Sequence, residues 1–140
     1  MGRTIIEFED EHGVVTRYRR HENGRGNVAT SAKVDPSTLV EPTAYVESGA
    51  RVGRSVIVSG GSWIDRDAVV LDHAMIGAGV HVGEGAVIGR GAEIGSFSRI
   101  GAGATIGDFA RLANDSKVPD GSDVPAGRIP RMLPRARSAA

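Results

Sequence analysis

From Val34 to Val124 every sixth residue is aliphatic without exception: Val34, Val40, Val46, Val52, Val58, Ile64, Val70, Ile76, Val82, Ile88, Ile94, Ile100, Ile106, Leu112, Val118 and Val124. Apolar positions recur every 3.6 residues in an α-helix and every second residue in a strand. A strict period of six over 16 successive positions belongs to neither. It is the mark of a parallel β-helix. With each aliphatic position called i, position i−2 is mostly small (Ala44, Ala50, Ser62, Ala68, Ala74, Ala86, Ala92, Ser98, Ala104, Ala110), and position i+1 is often glycine (Gly53, Gly77, Gly83, Gly89, Gly95, Gly101, Gly107). The expectation is that the aliphatic side chain fills a narrow prism with the small residue beside it. The glycine is expected to let the backbone turn a corner. Three hexads close a triangular coil of 18 residues, so Val34 to Val124 makes five coils, stacked at about 4.8 Å.

The repeat divides the chain into residues 1–27, an N-terminal β-hairpin and loop, residues 28–125, the β-helix, and residues 126–140, a Pro/Arg-rich tail. Thr4–Glu9 and Val14–Arg19 alternate in character around an Asp10-Glu11-His12-Gly13 turn, the pattern of a hairpin. Glu7 and Glu9 are expected to face Arg17 and Arg19 across it. A lone hairpin is marginal in water and is expected to pack on the helix end or on a neighbouring chain. The polar stretch His21–Asn27 reads as a linker.

Bulk composition narrows the function classes. Acidic and basic residues balance at 17 each, so no global field points to nucleic acid or an anionic membrane. The chain has 0 cysteines, which removes disulfides and thiolate metal sites. No apolar run approaches the roughly 20 residues that span a bilayer, and the first residues lack the apolar core of a secretory leader. A soluble cytoplasmic protein is expected.

An 18-residue coil makes residues 18 apart vertical neighbours, so outward columns can be read from position i−1. The first face carries Lys33, Arg51, Val69, Val87, Thr105 and Asp123. The second carries Leu39, Ile57, Met75, Glu93 and Arg111. The third carries Tyr45, Trp63, His81, Arg99 and Lys117. Leu39, Ile57 and Met75, with Val69 and Val87 on the adjacent face, form an apolar strip that a thin prism cannot bury internally. Such strips mark interfaces, and a homotrimer is expected to use this one. On the third face, Trp63, His81 and Arg99 are either a platform for a ligand ring or pantetheine-like chain, or a cross-strand stack on a solvated face.

The hexad pattern resembles the left-handed parallel β-helix of the hexapeptide-repeat acyltransferase superfamily over about two thirds of the chain. The left hand is what the resemblance implies, since the general crossover rule favours the right. Within the repeat, Val69–Gly83, with Asp72-His73 and then Val80-His81-Val82, is similar to the active-site coil of sugar N-acetyltransferases acting on sialic-acid and bacillosamine precursors. His81 falls on the second histidine of that family's pattern. Asp72 occupies the place of the first, and His73 follows one position later. The resemblance implies acyl transfer from acetyl-coenzyme A or another acyl-coenzyme A to a small-molecule amine or hydroxyl at a trimer interface. His73 would be the base, Asp72 its orienter, and His81 a second base or acceptor contact. Backbone N–H groups at glycine corners would stabilise the thioester oxyanion. His73 reads equally as a polar turn residue. Val124-Pro125-Ala126-Gly127-Arg128-Ile129-Pro130-Arg131 is similar to the superfamily's C-terminal segment bordering coenzyme A. Arg128 and Arg131 are therefore either phosphate contacts or solvated tail charges. Trp63 and Arg99 complete the candidate cofactor-binding set.

No metal site is expected, because a γ-type carbonic anhydrase site needs three histidines and the repeat holds only His73 and His81. No phosphate-binding loop pattern is present. The rival to an enzyme is a non-catalytic trimeric β-helix with a structural, capping or binding role in a larger assembly. The uninterrupted repeat favours the rival, since substrate specificity usually resides on loops.

Overall fold

A computed structural model describes residues 5–9 and 11–127. Strands β1 (Ile5–Glu9) and β2 (Val15–Arg20) form the hairpin, and β3 (Asn27–Ala29) joins it to the repeat. Two-residue strands β4 to β19 then follow at six-residue steps, from Lys33–Val34 to Asp123–Val124. They stack into three parallel sheets, β4-β7-β10-β13-β16-β19, β5-β8-β11-β14-β17, and β6-β9-β12-β15-β18, the last continuing through β3 and β2 to β1. Every pair in the helix is offset by 18 residues, as Val70 opposite Ile88 and Val82 opposite Ile100 illustrate. The architecture is a left-handed parallel β-helix of about five coils preceded by a short hairpin.

The predicted core positions fill the lumen. Val40, Val46, Val58, Ile64, Val82, Ile88 and Ile106 are all 0% exposed, and the alanines at i−2 are buried beside them. Val34, Leu112 and Val124 are only partly buried because they lie in the first and last coils. Five i−2 positions hold hydroxyls instead, Thr38, Ser62, Ser98, Ser116 and Ser122. Thr38, Ser62 and Ser98 are buried, each donating to a carbonyl and accepting an N–H from the next coil.

The two kinds of glycine do different work from that expected. The corner is turned at i+3, not i+1. From Gly49 to Gly121 every i+3 residue has a positive φ, including the non-glycine Ser55, Asp67, His73, Phe97, Phe109 and Asp115. The i+1 glycines have no positive φ. They are small because the coils approach closely there. A Cβ on Gly83 would lie 2.6 Å from Ala102 N, and one on Gly89 would lie 2.6 Å from Asp108 N.

The stretch read as a linker is a cap on the first coil. His21 is buried, its N–H donates to Gly26 O at 2.8 Å and its Nε2 lies 2.8 Å from Thr38 O. Gly26 N donates to Val40 O at 2.8 Å and Val40 N to Asn23 O at 3.0 Å. Linker composition misled because the upper edge of an open prism needs polar backbone partners, and a glycine-rich loop supplies them at close range. In the hairpin, Glu7 faces Arg17 at 2.7 Å as expected, but Arg19 lies opposite Ile5 and Glu9 opposite Val15. Each step along one antiparallel strand moves one back along its partner, so the register that sets Glu7 opposite Arg17 carries Glu9 to Val15 and Arg19 to Ile5 and aligns a single charge pair.

Candidate functional site

The third face carries two groups of rings on successive rungs. Phe8 and Tyr18 of the hairpin pack edge-to-face at 5.8 Å, and Tyr18 meets Tyr45 at 5.4 Å. The hairpin thus sits on the helix end. One coil beyond Tyr45, Trp63 lies in register beside His81, and their rings stack at 4.4 Å with 16° between planes. The stack expected from the sequence is present.

Two carboxylates hold these rings from the side. Glu47 accepts the Tyr18 hydroxyl at 2.6 Å and the Trp63 indole N–H at 2.8 Å. Burial, and then the Glu47 hydrogen bond, hold the Tyr18 phenol above its ordinary value. Asp65 accepts the Arg66 N–H at 2.7 Å on one oxygen and lies 3.1 Å from His81 Nε2 with the other. The two side chains of this dyad are 21% and 30% exposed, respectively. An ionised carboxylate only accepts, so the tautomer of a neutral ring that fits this contact carries its proton on Nε2 and its lone pair on Nδ1. The dyad opens on a groove of about 430 Å³ lined also by Glu84, Arg99, Lys117 and Asp120. Arg99 and Lys117 are the next two rungs above His81. Among the described residues neither forms an ion pair.

The triad of candidate catalytic residues is not brought together. His73 is exposed on the turn between the first and second faces, whereas His81 belongs to the third. His73 has φ +65°, the left-handed conformation shared by every i+3 position, and its N–H donates to Arg54 O at 2.9 Å. No hydrogen bond among the described residues uses its ring. Asp72 does not orient it. Asp72 Oδ1 accepts the Arg54 N–H at 2.9 Å, and its other oxygen is 3.7 Å from the Arg54 guanidinium. This is one rung of a recurring device. Asp108, Asn114 and Asp120, all at i+2, accept at 2.9 Å from the backbone N–H of Arg90, Ser96 and Ala102, each 18 residues earlier. Asp72 at i+2 therefore joins coils.

The glycine-corner oxyanion site is also overturned. The N–H groups of Gly53, Gly77, Gly83, Gly89, Gly95, Gly101 and Gly107 all donate to carbonyls of the next coil at 2.8–2.9 Å. Closed inter-coil ladders leave none of them for a ligand. Arg99 and Lys117 are the donors that face the groove instead. Asp65 was missed because only the i−1 columns were followed. Asp65 stands at i+1, and i+1 of one coil meets i−1 of the next across a separation of 16 residues, as both Glu47–Trp63 and Asp65–His81 show. Arg128 and Arg131 lie outside the described residues. No group of three or more His, Cys, Asp or Glu that would hold a metal occurs among the described residues. Among the described residues no helix is long and apolar enough to cross a membrane.

The strip foreseen as an interface is aligned on the surface. Leu39, Ile57 and Met75 are in direct register on the second face, with Met75 47% exposed, and Val69 pairs with Val87 on the first.

Residues 67–102, two coils that include His73 and His81, match the family model described as bacterial transferase hexapeptide (six repeats). No curated protein matches the chain. Among solved structures, the chain is similar to a hexapeptide transferase family protein from Anaplasma phagocytophilum (17% identity over 71% of this chain and 69% of that one, TM-score 0.40). It is also similar to a putative acetyltransferase from Bacillus cereus (19% identity, 69% and 70% covered, TM-score 0.44). A third is the H141A mutant of GDP-perosamine N-acetyltransferase from Caulobacter crescentus, in complex with CoA and GDP-perosamine (24% identity, 70% and 51% covered, TM-score 0.37). The chain spans about half the length of this third protein. The matched two coils are thus similar to the hexapeptide repeat of bacterial transferases, and the same triangular coils of three hexads extend on either side of them in a left-handed parallel β-helix.

Proposed function

We propose that the chain is an acyl-coenzyme A-dependent acyltransferase for a small amine or hydroxyl acceptor, working as a cytoplasmic homotrimer. The observation that carries this reading is the Asp65–His81 dyad opening on a groove that also holds two cations with no ion pair among the described residues. His81 Nδ1 takes the proton of the acceptor as it attacks the thioester carbonyl, and returns it to the coenzyme A sulfur as the C–S bond breaks and the free thiol leaves. Asp65 fixes the tautomer and stabilises the imidazolium. Arg99 and Lys117 offset the negative charge on the thioester oxygen and on the donor's phosphates. The exposed part of Trp63 offers an apolar wall for the acyl donor's arm. Leu39, Ile57, Met75, Val69 and Val87 form the contact between subunits, because a strip of this kind is otherwise left in water.

Acetyl-coenzyme A titrated to millimolar concentration in a thermal-shift assay is expected to raise the melting temperature, and less so in Arg99→Ala and Lys117→Ala. Release of free coenzyme A across a panel of amine and hydroxyl acceptors then reads the chemistry. His81→Ala is expected to lose about a hundredfold or more in kcat. The non-catalytic trimer is favoured by one observation, the run of i+3 turns from Gly49 to Gly121 with no loop excursion. No thermal shift at millimolar acetyl-coenzyme A decides for that reading.

A further inference from the structure

Three cations at the start of the helix stand together without acidic partners among the described residues. Lys33 and Arg51 are outward rungs of the first face and lie directly opposite each other. Arg19 reaches the same groove from the hairpin, since its strand register takes it away from Glu9. The groove has a volume of about 730 Å³, with Val69 and Leu71 among its apolar lining and Arg54 at its rim. Among the described residues, no ion pair involves Arg19, Lys33 or Arg51. The two acids of the groove are already engaged. Asp35 accepts the Ser37 N–H at 3.0 Å and the Ser37 hydroxyl at 2.7 Å. Asp72 holds Arg54 through its backbone N–H and its guanidinium.

Like charges directly opposite on a sheet are destabilising. Glu7 opposite Arg17 at 2.7 Å and Glu93 opposite Arg111 at 3.6 Å are unlike pairs, whereas like charges oppose each other at Lys33–Arg51 and again at Arg99–Lys117 on the third face; only the first of these two rungs has a third cation, Arg19, in its groove. At Lys33 and Arg51 a ligand with several negative charges would remove the repulsion. Guanidinium forks match phosphate oxygens, and a lysine adds a compact positive charge. One carboxylate would neutralise a single cation. Two linked phosphates reach two rungs stacked about 4.8 Å apart and leave an oxygen for the third cation. We propose that this groove is a binding site for a diphosphate-bearing ligand, held by Arg19, Lys33 and Arg51. The site is on the first face, bordering the proposed subunit contact at Val69, and does not rest on the acyltransferase reading, whose dyad is on the third.

Calorimetric titration of the full chain with inorganic pyrophosphate tests this, with orthophosphate and succinate as comparison anions. Pyrophosphate is expected to bind at least tenfold more tightly than either, and more weakly as salt is raised. Lys33→Ala and Arg51→Ala are each expected to weaken it about tenfold or more, while Arg111→Ala on the second face leaves it unchanged. Without ligand, both groove variants are expected to melt at or above the wild-type temperature, because a like-charge rung has been relieved. That readout separates lost binding from lost folding. The proposal is overturned if pyrophosphate gives no heat and no melting shift with the wild-type chain, or if Lys33→Ala and Arg51→Ala bind it as tightly. It is also overturned if a long polyanion such as heparin binds where pyrophosphate does not, which makes the patch a general electrostatic surface.

Discussion

Alanine at Gly85 and alanine at Gly89 introduce the same methyl group four residues apart, and the structure assigns them opposite kinds of cost. Gly85 is an i+3 corner with φ +69°, and nothing lies within 4 Å of where its Cβ would be. Its cost is conformational: about 1–2 kcal/mol for a left-handed L-residue, partly offset by the stiffer unfolded chain, about 0.4–1 kcal/mol. A net loss near 1 kcal/mol follows. Asparagine tolerates this conformation, so Gly85→Asn is expected to be within about 0.5 kcal/mol of wild type. Gly89 is an i+1 residue with ordinary φ, yet its Cβ would lie 2.6 Å from Asp108 N and from Gly107 C. Favourable heavy-atom contact begins at about 3.5 Å, so two coils must part by nearly 1 Å. The backbone bonds Gly89 N to Ile106 O and Phe109 N to Arg90 O, both 2.8 Å, and the Arg90 N to Asp108 bond of 2.9 Å all cross that gap. Weakening three bonds worth about 1 kcal/mol each in a closely packed interior gives a loss on the order of 3 kcal/mol. Urea midpoints followed by circular dichroism, at one protein concentration so that association does not confound them, rank the three variants. An equal or larger loss for Gly85→Ala than for Gly89→Ala would refute the division of labour between i+1 and i+3.

Two further outcomes follow from single side chains. Asp72→Asn keeps an oxygen for the Arg54 N–H and is expected to change stability little. Asp72→Ala strands that donor and loses about 1 kcal/mol, and in either variant acyl transfer proceeds at the wild-type rate. A hundredfold fall in kcat for Asp72→Asn would restore Asp72 to the reaction centre. His21 titrates against the fold. Burial pushes it below its ordinary 6.5, opposed by its bond to Thr38 O and aided by the nearby Arg19 charge. The unfolded chain then takes up a proton below pH 6.5 that the folded cap resists, so stability falls as pH drops through that value and levels off below the folded pKa. Denaturation midpoints between pH 7.5 and 5.5 are expected to fall more steeply for wild type than for His21→Gln. Parallel slopes would remove His21 from the cap's pH response.

The fold was legible because one constraint repeats. A lumen that accepts only aliphatic side chains every six residues fixes the side length. Three sides fix the vertical neighbours, and Leu39–Ile57–Met75 and Trp63–His81 stand where that arithmetic places them. Chemistry was less legible, since it depends on what crosses between coils. Glycine reads as a turn residue in any sequence, and only the distance from Gly89 to Asp108 shows that close approach, not turning, requires it. Asp72 beside His73 reads as a catalytic pair, yet a turn in the left-handed conformation parts adjacent side chains and delivers the carboxylate to Arg54 in the coil before. The sequence alone determined the lumen, the three faces and their columns, because inward burial acts on each residue separately. The tertiary structure decided the Asp65–His81 dyad, the His21 cap and the reach of Arg19 into the first face, because each depends on residues distant in sequence that only the stacked coils and strand register bring within bonding range.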